Sequence, residues 1–121
     1  MISRIGGADN PLGRSMTVDD KTLQMIVDRI VEEIKPQKII LFGSLARGEA
    51  NAWSDVDLMI IQETDLPRHR RYANVSRLFW GLGIPMDILV YTPEEFEQFQ
   101  DVPGSLSYTI AHEGEVVYAA D

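Results

Sequence analysis

Cysteine is absent from the 121 residues. That excludes disulfides and thiolate-bound metals, and it fits a cytoplasmic protein. Long apolar runs are lacking too: none approaches the ~20 residues of a membrane-spanning helix, and no secretory apolar segment follows the N-terminus. Basic residues are scarce, 11 against 19 acidic, for a net charge of −8. A chain of that sign lacks the basic surface that neutralises a nucleic-acid backbone, so direct nucleic-acid binding is not expected. A basic protein partner suits the charge better; the alternative is that acidity only maintains solubility. The two histidines, His69 and His112, have no companion at metal-ligand spacing and read as structural or surface residues. Neither the lysine-bearing phosphate loop nor the Gly-rich dinucleotide fingerprint occurs.

What is there reads as one globular domain, 45% hydrophobic and 25% charged. Residues 1–16 (MISRIGGADNPLGRSM) show no period and read as a flexible N-terminal arm or leader, leaving 17–121 as the domain. Thr17 and Asp20 resemble a capping box ahead of Leu23, Ile26, Val27, Ile30, Val31 and Ile34, which recur at helical spacing until Lys35-Pro36. Lys38–Phe42, Val56–Ile61 and Ile84–Tyr91 read as strands, and Ser44–Arg47 as a helix of little more than one turn. Asp65-Leu66-Pro67 opens a helix whose inner face is expected to be Tyr72, Val75, Phe79 and Leu82. Thr92-Pro93-Glu94-Glu95 is a full capping box, starting a short helix with Phe96 and Phe99 in the core. Ser105–Glu113 is a last helix, and Val116–Tyr118 a closing apolar run. Alternating helices and strands predict an α/β fold: a small mixed sheet of three main strands flanked by helices.

The stretch Leu41-Phe-Gly-Ser-Leu-Ala-Arg-Gly-Glu-Ala-Asn-Ala-Trp-Ser-Asp-Val-Asp-Leu-Met-Ile-Ile61 carries the chemistry. Asp55 and Asp57 project to one face of their strand, roughly 7 Å apart. Gly43-Ser44 ends one strand and Asp55 begins the next, so for the two to meet these strands must be adjacent and antiparallel. If Asp87 of the third strand joins them, two such charges at ~6 Å repel by roughly 3 kcal/mol at an effective dielectric near 20. A hard divalent cation removes that repulsion, and oxygen-only ligands point to magnesium or manganese. Magnesium usually shares its coordination with substrate phosphates. Gly43 allows close backbone approach, and Ser44 opens a helix whose N–H groups favour an anion. Each residue has a plainer alternative: a solvated strand edge or turn cap for Asp55 and Asp57, an outward-facing strand residue for Asp87, a helix cap for Ser44. Arg47 reads as a triphosphate contact or a solvated arginine. The basic cluster Arg68-His69-Arg70-Arg71 reads as a solvated helix face ahead of a substrate-steering or partner patch.

Gly43-Ser44, then Asp55-Val56-Asp57, with Asp87 on a later strand, resembles the nucleotidyltransferase superfamily that includes DNA polymerase beta. The wider wording, Leu-Phe-Gly-Ser-Leu-Ala-Arg-Gly before Ser-Asp-Val-Asp-Leu, looks like its smallest members, the minimal nucleotidyltransferases found as antitoxins beside HEPN-domain toxins. The similarity runs from about Thr17 to Tyr118. It implies two magnesium ions on Asp55 and Asp57, with Asp87 as third ligand and base toward an acceptor hydroxyl. It implies that Gly43 and Ser44 hold the β- and γ-phosphates of the nucleotide. The implied reaction is in-line attack on an α-phosphate with release of pyrophosphate, and in the antitoxin branch transfer of AMP from ATP to a tyrosine of the toxin. Larger relatives add a helical domain for which this chain has no room, so part of the acceptor site is expected from another polypeptide. Against this stand an antitoxin that acts by binding alone and a transferase acting on a small molecule such as an antibiotic.

Overall fold

The computed structural model describes residues 3–4, 20–46 and 56–120. Two strands and a helix define the frame: β2 (Lys38–Phe42), β3 (Val56–Ile61) and, before them, α1 (Asp20–Ile34). α1 places its apolar stripe inward, with Leu23, Ile26, Val27 and Ile30 all but fully buried. Each such side chain contributes roughly 1.5–3 kcal/mol. The helix ends where Lys35 takes a left-handed φ of 53°, with its N–H still donating to Val31 O at 3.1 Å. Pro36 then forbids continuation. The Gln62 side-chain amide donates to the terminal Ile34 carbonyl at 3.1 Å, satisfying a group the helix leaves unpaired.

β2 and β3 are antiparallel neighbours, as the chemistry of the site requires, with Leu41 opposite Leu58 and Phe42 opposite Asp57. β4 (Met86–Tyr91) joins β3 in parallel. β5 (Glu115–Ala119) pairs antiparallel with the other side of β2. β1 (Ser3–Arg4) pairs with β5, giving a five-stranded mixed sheet in the order β1-β5-β2-β3-β4. Of the stretch read as an arm, only Ser3–Arg4 are described; the remainder, like Thr17 of the expected capping box, lies outside the described residues.

The sheet separates two apolar clusters. α1 covers the larger, which takes Ile39, Leu41, Val56, Leu58, Ile60, Ile88 and Val90 from the strands. The smaller lies on the other face, where Ile40, Met59 and Ile61 meet Phe96 of α4 (Pro93–Phe99) and Ile110 of α5 (Leu106–Glu113). α4 starts on the predicted capping box, with the Thr92 hydroxyl accepting from Glu95 N–H at 3.2 Å and the Glu95 carboxylate accepting from Thr92 N–H at 2.8 Å. Four expectations about side chains fail. Phe99 is 45% exposed rather than buried, because α4 turns only Phe96 inward. α3 (Arg68–Ser76), extended by a single 3-10 turn (Arg77–Phe79), buries Arg71, Val75 and Phe79. Tyr72 and Leu82 are exposed, because the buried stripe steps by four residues from Arg71.

Arg71 therefore is no solvated arginine. Its Nε donates to Leu66 O at 2.6 Å and one terminal nitrogen donates to Glu95 Oε1 at 2.7 Å, with a longer bond to Val90 O at 3.4 Å. Arg68 lies 3.6 Å from the second Glu95 oxygen and stacks over the Tyr91 ring. Burial pushes the Glu95 carboxyl up. The Thr92 and Arg71 hydrogen bonds, with the charges of Arg71 and Arg68, outweigh that and hold it below the ordinary glutamate range.

Candidate active site

Side chains directly opposite one another on neighbouring strands share a face of the sheet. Phe42, Asp57 and Asp87 are such partners across β2, β3 and β4, so they form one row. The two carboxylates belong to the face of Met59 and Ile61, away from α1. Asp57 is half-buried and Asp87 exposed. Strand spacing alone sets neighbouring backbones about 4.8 Å apart. The third strand thus delivers its one aspartate beside the second strand's, as the sequence reading anticipated without knowing the register.

Immediately after Phe42 the chain leaves the sheet through Gly43, at φ +76°. Gly43 begins α2 (Gly43–Ala46). A Cβ built on Gly43 would overlap Asp57 Oδ2 and lie 3.0 Å from its Cγ. Glycine is needed here twice over, for the left-handed backbone and for the space. The backbone at the mouth of α2 is thereby pressed against the Asp57 carboxylate, which joins the Gly-Ser turn and the acidic row into one site.

Asp55 and Arg47 lie outside the described residues, and Ser44 is described in its backbone only. Among the described residues no three potential metal ligands are brought together. Two adjacent carboxylates without a nitrogen or sulfur donor fit a hard divalent cation rather than zinc. One feature had no signal in the predicted apolar stripe: Trp80, 76% exposed, stands beside a groove of about 440 Å³ that reaches Met86, the neighbour of Asp87. A second cavity, of about 420 Å³, lies at the opposite end of the strands, by Lys38 and Ile61.

Comparison with known proteins identifies the family. The profile of the nucleotidyltransferase domain matches residues 23–117. "Putative protein adenylyltransferase MJ1305" of Methanocaldococcus jannaschii is 42% identical over 59 residues, covering 44% of this chain and 40% of that protein. "Putative protein adenylyltransferase MJ0604" of the same organism is 26% identical over 102 residues, covering 83% of this chain and 98% of that one. The chain thus spans two-fifths of the first relative and nearly all of the second. A toxin–antitoxin crystal structure determined with AMP-PNP contains a chain that superposes with a TM-score of 0.60 at 20% identity, covering 81% of this chain and 73% of that chain. At that identity the likeness is one of fold.

Proposed function

The chain belongs to the nucleotidyltransferase domain family, and on that premise we propose that it transfers AMP from ATP to a hydroxyl of a protein partner, a HEPN-type toxin that it thereby neutralises. The observation that carries the reading is the row of Asp57 and Asp87 beneath the Gly43 turn. The relatives described as protein adenylyltransferases and the toxin–antitoxin neighbour support the choice of nucleotide and acceptor.

In this reading Asp55, Asp57 and Asp87 hold divalent ions, magnesium or in its place manganese. When bound, the metal neutralises the carboxylates and the triphosphate and withdraws electron density from the α-phosphorus. Gly43 and Ser44, with Arg47, hold the distal phosphates so that the leaving pyrophosphate points away from the acceptor. Asp87 accepts the proton as the acceptor oxygen forms its bond to the α-phosphorus. The bond from that phosphorus to the bridging oxygen breaks in line, and both its electrons leave with pyrophosphate. Most of the catalysis is positioning and charge compensation, as phosphoryl-type transfers require.

Incubating the chain with ATP, magnesium and the product of the adjacent gene, and weighing that product, tests this. The expected result is a +AMP adduct that disappears with Asp57→Ala. A partner that is inhibited yet unmodified would overturn transfer and leave a protein that acts by binding alone.

A further inference from the structure

The basic cluster of α3 has no part in the transfer reading. Residues 66–86 hold four arginines and no carboxylate, while the other seven basic residues share the rest of the chain with all 19 acidic ones. In a chain of net charge −8 this is a local reversal of sign. Arg71 is engaged inside, on Glu95 and two carbonyls, and Arg68 also meets Glu95. Arg70 and Arg77 are exposed, and among the described residues neither meets a carboxylate at ion-pair distance. Half of the large apolar side chains exposed among the described residues, Leu66, Tyr72, Trp80 and Leu82, fall in the same stretch.

α3 and its 3-10 turn bury Arg71, Val75 and Phe79 at steps of four. The outward side therefore carries Arg70 and Arg77 along one flank, Tyr72 along the other, and Ala73 and Ser76 between them. Those small residues leave a trough. On the Tyr72 side it is the 440 Å³ groove, walled by Phe79, Trp80, Ile84 and Met86. On the arginine side it is a groove of about 350 Å³ lined by Leu66, Arg70, Asn74 and Arg77. Ala73 and Trp80 border both, so the two form one apolar trough with a basic rim. Asp87 is exposed on β4, the last strand of the sheet, and Met86 before it lines the trough. A molecule seated there lies against the strand that carries the proposed base.

We propose that the acceptor protein docks on this face through an acidic amphipathic helix, its apolar stripe in the trough beside Trp80 and its carboxylates on Arg70 and Arg77. The proposal rests on the transfer reading for the identity of the partner and adds how that partner is recognised. A ridge of side chains at three- and four-residue steps fits between the flanks of a helix whose centre is alanine and serine. Tryptophan, tyrosine and arginine are the residues that most often anchor such contacts. Net charge alone favours a basic partner; the local arrangement calls for an acidic helix, whatever the partner carries elsewhere. Such a helix is repelled by the remainder of the chain and attracted here, which fixes register as well as encounter. A nucleic-acid strand fits less well, because its backbone runs on past the patch into the acidic remainder and has nothing to place in an apolar groove.

Titration calorimetry of the full chain with the product of the adjacent gene tests the face. Arg70→Glu combined with Arg77→Glu should weaken binding about tenfold or more, and so should Trp80→Ala, while ATP affinity stays within about twofold in both. Added salt should weaken the native complex and leave that of the charge-reversed chain nearly unchanged. Lys21→Glu combined with Lys35→Glu alters net charge equally from outside the face and should leave binding within about threefold. Native affinity in the charge-reversed chain or in Trp80→Ala, or an equal loss in the lysine control, overturns the docking face. Loss of binding to a single-stranded RNA oligonucleotide or to phosphatidylserine vesicles, with partner affinity unchanged, overturns it too and reassigns the arginines. A partner that binds through these residues but gains no AMP would refute transfer and leave the face standing. AMP gained with an unchanged KM in the variants would do the reverse, and a partner that neither binds nor gains AMP removes both.

Discussion

Gly43→Ala separates the demand for space from the demand for backbone freedom. A non-glycine residue at a left-handed φ costs about 1–2 kcal/mol, and Gly43 sits at +76°. Gly104, at +90° with nothing within 4 Å of an added Cβ, faces the first demand alone. Gly104→Ala should therefore lower stability by about 1–2 kcal/mol, a melting shift of about 4–8 °C for a domain of this size, and leave transfer unaffected. At Gly43 the new methyl must also displace the Asp57 carboxylate. Misplacing a reacting group by about 1 Å costs on the order of 100-fold in rate. The expected result is a melting shift like that of Gly104→Ala, or larger by ~1 kcal/mol for the contact, together with a loss of transfer of at least 100-fold at saturating ATP. Paired thermal melts and initial rates of AMP transfer measure both. A Gly43→Ala protein that transfers AMP at more than a third of the native rate would refute the claim that this turn and Asp57 form one site.

Asp87→Asn should reduce transfer by 1,000-fold or more, while its melting temperature without divalent ions holds or rises slightly, because one of two adjacent like charges is gone. Added magnesium should raise the melting temperature of the native chain by several degrees and that of Asp87→Asn by much less; an equal rise in both would remove Asp87 from the metal site. Arg71→Ala takes the Leu66 carbonyl's guanidinium donor and one of the Glu95 carboxylate's partners, and urea titration should register a loss of about 2–4 kcal/mol. The Glu95 carboxyl is held below its ordinary value, so its contribution is complete above the usual glutamate range and is lost as pH falls through the lower folded value. The native chain should thus lose the part of its advantage over Arg71→Ala that comes from Glu95 on acidification below about pH 4; a difference constant down to pH 2 would show the ion pair contributes nothing.

The strands, and the approach of Gly43 to Asp57, were legible because their signals are local and mutually consistent. β2 and β3 coincide with the predicted runs Lys38–Phe42 and Val56–Ile61. Their antiparallel pairing followed from asking how Gly43 could meet an aspartate at the start of the next strand. The register that puts Asp57 opposite Asp87 was not legible, since a parallel pair closes through a long crossover whose length does not specify alignment. α3 misled for a different reason. Its apolar residues suggested a stripe through Tyr72, whereas Arg71 precedes Val75 and Phe79 by four and eight residues and takes the inward position. A hydropathy pattern assigns arginine to water, and only the acceptors it meets, Glu95 and two carbonyls, make its burial tolerable. Phe99 is the converse, an apolar residue that the short α4 leaves in solvent.

Leu58 and Asp57 are consecutive residues, yet they belong to opposite sides of the sheet, one beneath α1 and the other in the acidic row. The larger apolar cluster is consequently separated from the acidic row by the thickness of the sheet. Substitutions among the α1-side residues, such as volume-conserving exchanges at Ile26, Ile30 or Ile60, should shift the working temperature while the carboxylates stay where they are.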